Sequence, residues 1–112
     1  GVANAQERQA QANEAIALSD LAYRQAQIRL EVESAYLSLQ SQAEQINVSE
    51  IGIVSAQEGM RLARLRFQSG VGTQLEVLEA QSDLTNAQSA FAQAITAYNL
   101  SIAELERAVS DL

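Results

Sequence analysis

The 112-residue sequence contains no Cys, no His, no Pro and no Trp, and each absence removes a class of answer. Without Cys there is neither a disulfide framework nor a thiolate site, although that absence does not locate the compartment. Without His as well, the usual nucleophile–base pairs and most transition-metal sites cannot be built from this chain alone. No enzyme is therefore expected, no catalytic residue is assigned, and no metal or cofactor is implied. Aromatic residues are scarce at 4%, while Ala, Gln, Ser, Leu and Glu dominate and nothing breaks a helix as Pro would. That balance suits long helices burying narrow seams better than a compact globule.

Positive charge is also in short supply. Seven Lys and Arg stand against fourteen Asp and Glu, for a net charge of −7, and three of the seven crowd together at Arg61, Arg64 and Arg66. A nucleic-acid binder needs a basic face, and anionic membrane surfaces are disfavoured for the same reason. No apolar run approaches the roughly 20 residues of a membrane span, and no charged-then-apolar signal segment opens the chain. The start at Gly1-Val2-Ala3-Asn4, without Met, reads as an excised piece whose targeting or anchoring elements lie outside it.

What is present is 47% hydrophobic residues, arranged at helical spacing. Residues 3–68 contain no turn signal, so one helix about 100 Å long is expected. Stepping by seven gives Leu18, Gln25, Val32, Leu39, Ile46, Ile53, Met60 and Phe67, beside the smaller Leu21, Ile28, Ala35, Gln42, Ser49, Ala56 and Ala63. A second register, Ile16, Tyr23, Leu30, Leu37, Glu44, Ile51, Glu58 and Leu65, falls on nearly the opposite side. A two-stranded coiled coil requires one seam, whereas a helix flanked on both sides, as in a closed ring of helices, requires two.

Residues 74–112 predict a second helix with Val77, Leu84, Phe91, Tyr98, Leu105 and Leu112 at one position and Ala80, Ala87, Ala94, Ser101 and Ala108 at the other. Its far side carries Ser82, Ser89, Thr96, Ala103 and Ser110, small enough for a close neighbour. Between the helices lie Ser69, Gly70, Val71, Gly72 and Thr73. Gly70 suits a left-handed cap, Gly72 supplies a second permissive position, and Thr73 with Glu76 forms a capping box. Antiparallel pairing about this turn makes paired residue numbers add to roughly 142. The shorter second helix leaves residues before about Ser34 without an intramolecular partner, so that stretch is expected to be frayed or covered by another copy. The fold expected is all-α, a long antiparallel coiled-coil hairpin in a single unit.

The stretch Arg66-Phe67-Gln68-Ser69-Gly70-Val71-Gly72-Thr73-Gln74-Leu75-Glu76-Val77-Leu78-Glu79-Ala80-Gln81, with Ala87 and the Phe91-to-Tyr98 spacing, resembles the second periplasmic hairpin of the outer-membrane efflux protein family, the TolC-like channels. Gly1 to Gln11 resembles the helix start after a membrane strand, and Glu33-Ser34-Ala35-Tyr36 a mid-helix motif of that family. The resemblance covers essentially the whole chain. It implies a trimeric parent with an outer-membrane β-barrel, whose strands are absent here, and a long α-barrel tunnel in the periplasm for drug efflux or type I protein secretion. The tip, Ser69 to Thr73, would dock a periplasmic adaptor protein, and acidic residues just inside the second helix, Glu76 and Glu79, would ring the tunnel entrance. Some members carry Tyr where this chain has Phe67 and Arg where it has Gly72, and neither residue here can make the polar links those groups make between neighbouring hairpins.

Each motif also has a plainer reading. Arg61, Arg64 and Arg66 either complement the dipole at a helix C-terminus or form a docking or gating contact. Glu76, Glu79 and Asp83, spaced i, i+3, i+7, share one exposed side of the second helix, as a solvated first turn or as an acidic lining of the entrance. The tyrosines read as packing residues. A structural coiled-coil hairpin of a periplasmic adaptor, or membrane fusion protein, remains as the alternative; the double seam favours the channel. On either reading no nucleic acid is bound and this piece makes no direct membrane contact.

Overall fold

Nothing between Val2 and Gln68 gives a helix reason to stop, and none stops there. In a computed structural model describing residues 1–112, α1 spans Val2–Gln68 and α2 spans Gln74–Ser110. α1 is 67 residues long and passes through Gly52 and Gly59 without a break; α2 is 37 residues long. Packed antiparallel, they form an all-α hairpin measuring 102 × 18 × 13 Å.

α1 ends where Gly70 takes a left-handed conformation, at φ 78°. The N–H of Gly70 donates to the Phe67 carbonyl at 3.1 Å and that of Val71 to the Arg66 carbonyl at 3.0 Å. These two bonds close a Schellman motif and satisfy carbonyls that the helix end would otherwise leave unpaired. Gly72 is not at positive φ, so the second permissive position expected from the sequence is not used as one.

The seam between the helices is the first register of α1 and its smaller companion. Ile28, Ser49, Met60 and Ala63 are buried, and Val32, Ala35, Leu39, Gln42, Ile46, Ile53 and Ala56 are half-buried. From α2, Ala94, Ser101 and Ala108 are buried, while Val77, Ala80, Leu84, Ala87, Phe91, Tyr98 and Leu105 are half-buried. Large side chains alternate with small ones, which lets the two backbones approach closely. The buried hydroxyls of Ser49 and Ser101 donate to the Gln45 and Ala97 carbonyls at 2.8 and 2.9 Å, so no buried side-chain polar atom is left unpaired. Ser34 shares a groove with Ala108, and Gly59 another with Asp83, each pair of numbers adding to about 142 as turn-centred pairing demands.

Several expectations need correction. Phe67, in the last turn of α1, is exposed, and the last buried residue of the seam on α1 is Ala63. Tyr23 and Tyr36 are exposed instead of packed, because they lie off the only covered face; the Tyr36 hydroxyl accepts a hydrogen bond from Gln40 Nε2 at 3.1 Å. The second register, including Ile16, Leu30, Leu37 and Ile51, has no cover within the chain. Of the two outcomes expected for the stretch before Ser34, fraying or cover by another copy, the single chain shows no fraying. α1 is continuous from Val2, and Leu18 and Leu21 are 60% and 54% exposed on an intact helix. Cover begins earlier than expected, at Ile28, which lines a groove with Val32 and Leu112. Beyond it the sequence is rich in Ala, Gln, Glu and Arg, and such a segment keeps its backbone hydrogen bonds on propensity over more than about 15 residues.

Candidate functional site

The tip is the one place where the chain's special residues converge. Thr73 opens α2 in an extended conformation, and its Oγ1 accepts the Glu76 N–H at 3.2 Å. Only half of the expected capping box forms. The Glu76 carboxylate does not reach back to the Thr73 amide; it turns across the chain reversal, where Arg66 Nε donates to its Oε2 at 3.3 Å. This is the one ion pair that joins α1 to α2. The sequence reading, with Arg66 as a dipole complement or docking contact and Glu76 as a capping or entrance residue, does not contain this pairing. The available signal was opposite charges flanking a turn that brings them together.

The three arginines are not one cluster. Arg66 alone lies in the last turn of α1. Arg61 turns back along α1 to Glu58, with Nε donating at 2.9 Å and a terminal guanidinium nitrogen at 2.6 Å. That hydrogen bonding, with the guanidinium charge adding to it, holds the Glu58 carboxyl below its ordinary range and raises Arg61 above its own. Arg64 is exposed and forms no ion pair.

The acidic stripe divides in the same way. Glu76 is half-buried and ion-paired, contrary to the exposed position expected of it. Glu79 is exposed. Asp83 is exposed at the rim of a shallow groove of small residues that includes Gly52, Ser55, Gly59 and Ala80. No group of three or more carboxylates is close enough to hold a metal ion. Val71, between the two tip glycines, is 68% exposed and is the one apolar side chain of the turn. Grooves along the hairpin are shallow and open; none encloses a site for chemistry.

A hairpin of this length, with one apolar register packed inside, another left outside and a capped, exposed turn, is a long coiled-coil element whose distinctive surface is its tip. The outer membrane efflux protein family matches residues 1–110, and the chain belongs to that family. The TolC-like resemblance read from the tip and its flanks is borne out, and the family is one of efflux channels of the outer membrane. Comparison with curated proteins and with solved structures gives no match. No helix is long and apolar enough to cross a membrane.

Proposed function

We propose that the hairpin is a wall element of the periplasmic tunnel of a trimeric outer-membrane channel, and that Ser69 to Thr73 form the inner tip that docks a periplasmic adaptor. The observation that carries this reading is the family match over residues 1–110 of a chain folded as one hairpin. It also weighs against the adaptor's own hairpin, and does so more firmly than the double seam, whose outer register is uncovered. The exposed Val71 and the unpaired Arg64 supply apolar and cationic contacts for a docked partner. The membrane strands of the parent lie outside this piece, which belongs to the periplasmic portion of the protein and passes drugs or a secreted polypeptide.

Glu79 and Asp83 are the remaining unpaired charges of the acidic stripe. In a closed ring three copies would converge, and like charges in a narrow passage attract cations. Replacing Glu79 by Gln and Asp83 by Asn in the full-length protein tests this through single-channel currents. Reduced cation selectivity supports the entrance role, and unchanged selectivity contradicts it. Docking is tested by Val71→Asp, which is expected to abolish export while trimers still assemble. Export at the wild-type rate would contradict it.

A further inference from the structure

Three restraints on the tip meet at Arg66. Its carbonyl oxygen accepts the N–H of Val71 at 3.0 Å and that of Gly72 at 2.9 Å. Its side chain reaches Glu76 at 3.3 Å, and the Glu76 amide is held in turn by Thr73 Oγ1 at 3.2 Å. Residue 72 sits inside this ring of contacts. A Cβ added there would lie 2.7 Å from Glu76 Oε2, 2.8 Å from Arg66 Cβ and 3.2 Å from the Arg66 carbonyl carbon. The carboxylate is the far end of a flexible side chain and could swing away, but the Arg66 atoms are fixed to the helix. Glycine is required at 72 for room, since its φ is not in the left-handed region.

We propose that Arg66, Glu76 and Gly72 form a clasp within the hairpin that sets the shape of the tip before any partner meets it. Glu76 then acts as a positioning residue and not as a free charge of the entrance, and Gly72 is the residue whose missing side chain admits the ion pair. The clasp needs no neighbouring hairpin, because all of its bonds lie between residues 66 and 76 of one chain. Only its consequence for docking rests on the proposed function; the geometry stands without it.

The pair is half-exposed, with side-chain accessibilities of 51% and 41%, so its individual effect is small and must be read locally. The test is amide hydrogen exchange across residues 68–75 of the full-length protein in the absence of adaptor. Glu76→Gln is expected to speed exchange of this segment about two- to fivefold, as a pair of this exposure allows. Gly72→Ala, which displaces the carboxylate and presses on Arg66, is expected to speed it about tenfold. Combining Arg66→Glu with Glu76→Arg restores protection to within about twofold if the ion pair is the cause. A helix-start role for Glu76 would not be rescued, because an arginine in the first turn opposes the dipole. Unchanged exchange in Glu76→Gln, no rescue in the swapped pair, or wild-type exchange in Gly72→Ala would each overturn the clasp. Since no adaptor is present, these outcomes are separate from failure of the docking reading.

Discussion

The Val71 amide reaches back to the Arg66 carbonyl at 3.0 Å, a span possible only because Gly70, between them, is left-handed at φ 78°. Gly70→Ala forces a Cβ into that conformation and is expected to cost about 1 kcal/mol. Urea unfolding followed by circular dichroism reads the loss. Gly70→Asn should lose less, because Asn tolerates the left-handed region.

At the start of α2, Thr73→Ala removes the acceptor of the Glu76 N–H and is expected to cost about 1 kcal/mol, whereas Thr73→Ser retains most of it. The same unfolding curves compare them. Equal stability of all three proteins would mean that solvent satisfies that amide as well as the hydroxyl does.

The two apolar registers of α1 make opposite predictions. Met60 is buried in the seam, and Met60→Ala is expected to destabilise this chain by about 2 kcal/mol. Ala94, 4% exposed, faces the same seam from α2, and Ala94→Leu is expected to cost about 1 to 3 kcal/mol through overpacking. Ile51 is 69% exposed on the outer register, so Ile51→Ala changes the stability of the single hairpin by no more than about 0.5 kcal/mol. Were the outer register closed against another copy in the assembled protein, Ile51→Ala would weaken assembly instead.

Glu58 supplies a pH signature. The hydrogen bond from Arg61, with its charge adding, lowers the Glu58 carboxyl in the folded state. A depressed carboxylate contributes stability that is present above its unfolded value and is lost as pH falls through its folded one. Glu58→Gln should therefore remove a small stabilisation seen at neutral pH and match the wild type in strong acid. Thermal melts of both proteins across the acid range check the sign; since the pair is exposed, salt should shrink the difference.

The fold was largely legible in the sequence because heptad spacing states both a helix and its buried face. Val32, Leu39, Ile46, Ile53 and Met60 lie in the seam that their spacing defines, and Gly70 and Thr73 occupy the cap positions their chemistry favours. Pattern also sets Tyr23, Leu30 and Ile51 in a second register nearly opposite the first, but periodicity does not say what covers that register, and within the chain nothing does. The tip chemistry was less legible for a different reason. Arg66 and Glu76 each had an adequate local role, and only the three-dimensional path of the turn, with Gly72 pressed between them, sets the two side chains together. The first 27 residues carry a helical pattern without a partner in the chain; periodicity gives their helix but not what, if anything, packs against it.

Docking of an adaptor by Ser69 to Thr73 is read out by placing a photo-reactive residue at Val71 of the full-length protein in cells. A cross-link from Val71 to a periplasmic adaptor subunit is expected, and none to it from the same probe at Ile16, far along α1. A protein that still exports its substrate but never cross-links to an adaptor from Val71 would contradict it.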